Sequence, residues 1–94
     1  MTILSADQIR DGLAGLPAWQ SIDGSIAAEY RFDDFPQAVG FVVRVAFAAE
    51  AANHHPDIDV RYNRVRLTLS THSAGGVTDK DMALAAAIQG LADH

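Results

Sequence analysis

Ninety-four residues supply enough chain for one hydrophobic core and none for a second, so a single domain over 1–94 is expected. Apolar residues make up 49% and charged residues 20%, the balance of a folded globule rather than a disordered chain. A net charge of -5 opposes direct nucleic-acid binding and attraction to anionic membranes, and the lack of cysteine removes disulfides, thiolate nucleophiles and cysteine-ligated metals.

The opening residues, Thr2 to Asp7, carry no basic segment and no long apolar run. No stretch approaches the length of a membrane span, which together with the missing cysteines points to a cytoplasmic protein without a membrane partner. Ser5 followed by Gln8 forms a capping-box pattern ahead of Ile9, Leu13 and Leu16, predicting a short helix that ends at Gly15-Leu16-Pro17. Trp19 to Ile22 and Ser25 to Phe32 flank Asp23-Gly24, a strong two-residue hairpin signal. In the second of these strands Ile26, Ala28, Tyr30 and Phe32 alternate with Ala27, Glu29 and Arg31, giving one apolar face.

Asp34 with Gln37 repeats the capping-box pattern, and Pro36 falls in the first turn of a helix over Phe35 to Ala52. Gln37, Arg44 and Glu50 are its only strongly polar side chains, so it is apolar almost all round. Such a helix either lies across a sheet or also lines a subunit interface, and self-association is the cheaper explanation for the surplus apolar face. Pro56 ends this helix near His54. Ile58, Val60 and Tyr62 then alternate with Asp57, Asp59 and Arg61; after a turn around Asn63-Arg64, Val65, Leu67, Leu69 and Thr71 alternate with Arg66, Thr68, Ser70 and His72. Gly75-Gly76 breaks the strand, and Thr78 caps a last helix carrying Met82, Leu84, Ala85, Ile88 and Leu91. Hairpins separated by helices, in the order α-β-β-α-β-β-α, predict an α+β fold: a four-stranded antiparallel sheet with helices on one face.

Three histidines fall at element ends: His54 and His55 at a helix exit, His72 at a strand end before the glycine turn. Such positions hold a side chain rigidly while leaving it open to a cleft. Strand parity sets His72 opposite the apolar series, so it is not a core residue. A metal site would draw on these histidines with Glu50, Asp57 or Asp81, yet adjacent His54 and His55 lack the i, i+4 spacing of a chelating pair. No serine or threonine sits in a nucleophile elbow. Gly75-Gly76 precedes a helix start, but Asp79 and Asp81 in its first turn repel an anion.

The segments Glu50-Ala-Ala-Asn-His54-His55-Pro56-Asp57, Tyr62-Asn63-Arg64-Val65 and Ser70-Thr71-His72-Ser73-Ala74-Gly75-Gly76-Val77-Thr78-Asp79-Lys80-Asp81 resemble the signature of the pterin-4a-carbinolamine dehydratase family. Similar spacing upstream, from Trp19 through Gly40-Phe41, extends the resemblance over nearly the whole chain. It implies removal of water from the 4a-hydroxytetrahydropterin released by aromatic amino-acid hydroxylases, giving the quinonoid dihydropterin, as part of pterin recycling. It implies no cofactor and no metal, and a homodimer or homotetramer built through sheet and helix contacts. On the family's pattern His54 and His72 perform acid-base work, His55 holds the pterin ring, and Glu50 and Asp81 join the substrate site. Glu50, one turn before His54, is also placed to orient it, and Asp81, third after Thr78, is equally a capping-box acid. An imidazole, with an ordinary pKa of about 6.5, suits both proton donation and proton uptake near neutrality. Two other readings share the fold: a protein-interaction module using the apolar central helix, as some animal members serve a transcription factor, and a dehydratase for another pterin, for instance in molybdenum-cofactor metabolism.

Overall fold

Residues 2–93 are described by the computed structural model, and their elements run α1 (Ala6–Leu13), β1 (Trp19–Ile22), β2 (Ser25–Arg31), α2 (Phe35–Ala52), β3 (Asp57–Arg61), β4 (Arg64–Leu69) and α3 (Asp79–Ala92). The order is the expected one, and each boundary has a local cause. Ser5 and Gln8 close both halves of the capping box on α1. Asp34 caps α2 by accepting from the Gln37 amide, with Pro36 in the first turn. The β1–β2 loop is Asp23-Gly24, at φ 44 and φ 81, backbone values that this residue pair tolerates.

The second hairpin differs by one residue from the expectation. Its loop is Tyr62-Asn63, with Arg61 paired to Arg64. Tyr62 takes φ 53, so a residue with strand character in the alternation sits in the turn and is exposed. Asn63 explains why this turn is kept. Its side-chain amide donates to the Phe32 carbonyl at 2.8 Å, while the Phe32 amide donates to the Asn63 carbonyl at 2.8 Å, fastening the loop to the end of β2.

All strand pairs are antiparallel and the sheet order is β1-β2-β4-β3, so the two hairpins join through β2 and β4. One sheet face, carrying Ile26, Ala28, Tyr30, Val65, Leu67 and Leu69, is buried under the helices. Phe41 of α2 reaches into it with no exposed surface and packs against Tyr30 and Phe32 at ring separations of 5.3 and 4.9 Å. Burying a side chain of that size contributes about 2–3 kcal/mol. Tyr30 also carries a polar link through the core: its hydroxyl accepts from Trp19 Nε1 at 2.8 Å and donates to Gln89 Oε1 at 2.6 Å.

Helix α2 packs Ala38, Phe41, Val45 and Ala49 inward and leaves Phe35, Val39, Val43 and Phe47 exposed along the opposite side, each four residues after the last. At 18 residues and mean hydropathy 1.2, it is long and apolar enough to cross a bilayer by length and composition alone. That corrects the expectation that no stretch approaches such a span. Within the fold one stripe of this helix, Ala38, Phe41, Val45 and Ala49, is buried.

Candidate active site

His54 and His55 leave α2 through Asn53, whose φ of 50 lies in the left-handed region and whose amide returns to the Ala49 and Glu50 carbonyls. The turn sends the two imidazoles to different partners. His54 Nε2 lies 2.5 Å from Asp81 Oδ1 on α3, and His55 Nε2 lies 2.9 Å from Glu50 Oε1. Glu50 therefore meets His55, where the i, i+4 relation had set it beside His54. That relation holds only along a continuous helix, and the helix has ended by Asn53.

The two acid-histidine pairs differ in environment. Glu50 is 82% exposed and its pair with His55 stands at the surface. His54 is 11% exposed and Asp81 is 0% exposed. A buried carboxylate requires hydrogen-bond donors, and Asp81 has them: its Oδ2 accepts from the Thr78 amide and from the Thr71 hydroxyl, both at 2.8 Å. The Thr71 and Thr78 hydroxyl oxygens are themselves 2.8 Å apart. Asp81 thus closes the α3 capping box with one oxygen and meets His54 with the other. Its carboxylate, expected at the substrate, is enclosed and reaches the surface only through the His54 ring.

His72 is held from the opposite side. β4 ends at Leu69, and Thr71 forms an isolated bridge to Gly76, its amide donating to the Gly76 carbonyl at 2.8 Å. The Thr71 carbonyl accepts from the Ala74 and Gly75 amides at 3.0 and 2.9 Å, with Gly75 at φ 81, where a side chain would be strained. His72 rides on this knotted turn with its ring exposed.

His54, His55 and His72 line one cleft of about 430 Å³, together with Ser70, Thr71 and Lys80. A second groove of about 440 Å³, walled by Ala48, Ala51, Ala52, Ala83 and Ala87, meets it at His54 and Lys80, so His54 stands between a polar and an apolar hollow. A further hollow of about 510 Å³ between α1 and α3 contains no histidine. Among the described residues no three His, Asp or Glu side chains gather as a metal site requires. Thr71 and Lys80 were not singled out from the sequence. Thr71 continues the apolar alternation of the sequence beyond the end of β4, a pattern that marks it as interior but gives no sign of its hydroxyl partner, and Lys80 stands out only as the single cation in an acidic first turn.

The model of the family described as pterin 4 alpha carbinolamine dehydratase matches residues 2–91. A protein of Chloroflexus aurantiacus, provisionally named a pterin-4-alpha-carbinolamine dehydratase, is 57% identical over 88 residues, covering 94% of this chain and 95% of its own length. One from Gloeobacter violaceus, provisionally named pterin-4-alpha-carbinolamine dehydratase 2, is 52% identical and covered over 100% of its length, with 94% of this chain matched. Among solved structures, a transcriptional coactivator/pterin dehydratase from Brucella melitensis superposes with a TM-score of 0.92 at 36% identity, covering 97% of this chain and 99% of that one. A pterin dehydratase-like protein identified as a RuBisCO assembly factor in the alpha-carboxysome shares the fold, with a TM-score of 0.66 at 23% identity over 79% of this chain and 86% of that one.

Proposed function

The chain belongs to the pterin 4 alpha carbinolamine dehydratase family, and from that premise we propose that it dehydrates a 4a-hydroxytetrahydropterin to the quinonoid dihydropterin, in support of pterin recycling. The observation that carries this reading is the single cleft shared by His54, backed by buried Asp81, and His72 on its rigid turn. One imidazole protonates the 4a-hydroxyl as the C4a–O bond breaks and water leaves. The other takes the proton from N5, whose N–H electron pair becomes the new N5=C4a bond. General acid-base catalysis of this kind contributes about 10²–10⁴-fold per group. His55, steadied by Glu50 at the rim, holds the pterin ring, and Asp81 acts on the substrate site through His54.

The exposed Phe35, Val39, Val43 and Phe47 stripe supports assembly into a homodimer or homotetramer through α2, since large apolar side chains aligned along a helix are what a second copy would bury. The test of the activity follows optically the decay of enzymatically generated 4a-hydroxytetrahydropterin. Native protein is expected to speed the decay, and His54→Ala or His72→Ala to lower kcat by about 10²–10⁴-fold. A decay rate unchanged by native protein would overturn the assignment for this pterin.

A further inference from the structure

Asp81 has its acceptor capacity engaged from three directions. The Thr78 amide and the Thr71 hydroxyl bind Oδ2, and His54 Nε2 meets Oδ1. A carboxylate can only accept, so each neighbour in this enclosed cluster must direct a proton toward it. Thr71 has one hydroxyl proton and spends it on Asp81; the contact between the two hydroxyls, 2.8 Å long, is therefore made by the Thr78 proton. The Lys80 amide completes the chain by donating to Thr78 Oγ1 at 3.3 Å. Every donor then runs one way, from Lys80 through Thr78 and Thr71 to Asp81. Such a polarised chain is stronger than its separate bonds.

The consequence lies at the imidazole. With Nε2 committed to donating to Asp81, only Nδ1 is left to exchange protons with a molecule in the cleft that His54 lines. Resting on the dehydratase reading for its chemical step, we infer that Thr71 is a positioning residue for catalysis: its buried hydroxyl fixes the Asp81 carboxylate so that His54 keeps its Nε2 proton throughout and works through Nδ1 alone. Thr71 has a second hold on the same chemistry. Its backbone anchors the turn that carries His72, so one residue sets the orientation of both cleft imidazoles, through its side chain on one and its main chain on the other.

The test compares native protein with Thr71→Val, which removes the hydroxyl at nearly constant shape, and Thr71→Ser, which retains it. Ring-nitrogen NMR of ¹⁵N-labelled protein reads the His54 tautomer without reference to turnover, and dehydration kinetics give kcat and KM. Native protein and Thr71→Ser are expected to hold neutral His54 with the proton on Nε2. Thr71→Val is expected to populate both tautomers and to lose about 10–100-fold in kcat with little change in KM, the scale of loss expected when a reacting group is misaligned; Thr71→Ser restores kcat to within a few-fold. A native His54 protonated at Nδ1 overturns the inference, and that spectrum needs no variant to fold. A Thr71→Val protein with native tautomer and native kcat overturns it equally. If the tautomers behave as expected but native protein fails to speed dehydration, the dehydratase reading falls while the positioning of His54 stands.

Discussion

Tyr30 is the buried phenol of the core, accepting from Trp19 and donating to Gln89. Burial raises its pKa above the usual tyrosine value, opposed by the Trp19 hydrogen bond and aided by the nearby charge of Asp93. A folded-state pKa above the unfolded one means that the native protein holds the proton more tightly. The resulting stability is intact below about pH 10 and is lost as pH rises through the raised value. Chemical denaturation between neutral pH and pH 11 is expected to show a falling alkaline limb. Tyr30→Phe should flatten that limb while lowering stability at neutral pH by about 1–3 kcal/mol, because Trp19 Nε1 loses its acceptor in a buried setting. A limb as steep in the variant as in native protein would assign it to another group.

Among the elements, the open face of the sheet carries a row that register alone makes unfavourable: Arg31, Arg64 and Arg61 stand abreast across β2, β4 and β3. The next row alternates, Glu29, Arg66 and Asp59. Like charges directly opposite one another are destabilising, so Arg64→Glu, converting the first row to alternating sign, is expected to raise stability by about 0.2–1 kcal/mol per pair at low salt and less at high salt. Thermal unfolding at two ionic strengths checks both the gain and its screening. Features set within a few residues were readable beforehand: the caps at Ser5, Asp34 and Thr78, the Asp23-Gly24 loop, and the end of α2 ahead of Pro56. Two features escaped because one torsion overruled a periodicity. Tyr62 at φ 53 moved a turn by one residue, and Asn53 at φ 50 transferred Glu50 from His54 to His55.

For the whole molecule, the α2 stripe has the clearest outcome. Phe47, 75% exposed, and Val43 lie within it. Val43→Glu with Phe47→Glu is expected to reduce the proposed homo-oligomer to single chains in analytical ultracentrifugation, since carboxylates do not enter an apolar contact unpaired. Native protein that sediments as a single chain at micromolar concentration would sink the assembly. Contacts between distant segments follow no local pattern: that β2 adjoins β4 comes from tertiary packing, and although the family resemblance set Asp81 and His54 in one site, their direct contact across 27 residues does too. The β2–β4 seam has a kinetic consequence. Each hairpin is a local event, whereas the seam joins strands with all of α2 and β3 between them, and the entropy of closing that loop must be met before its hydrogen bonds form. The chain should therefore fold at the pace of mixed α/β domains, slower than a helical bundle of its size. The cleft draws on the exit of α2, the turn after β4 and the first turn of α3, segments joined through the β3–β4 hairpin and the contact of Asp81 with His54. No single hairpin or helix holds the whole cleft, so the proposed chemistry requires these three segments packed together.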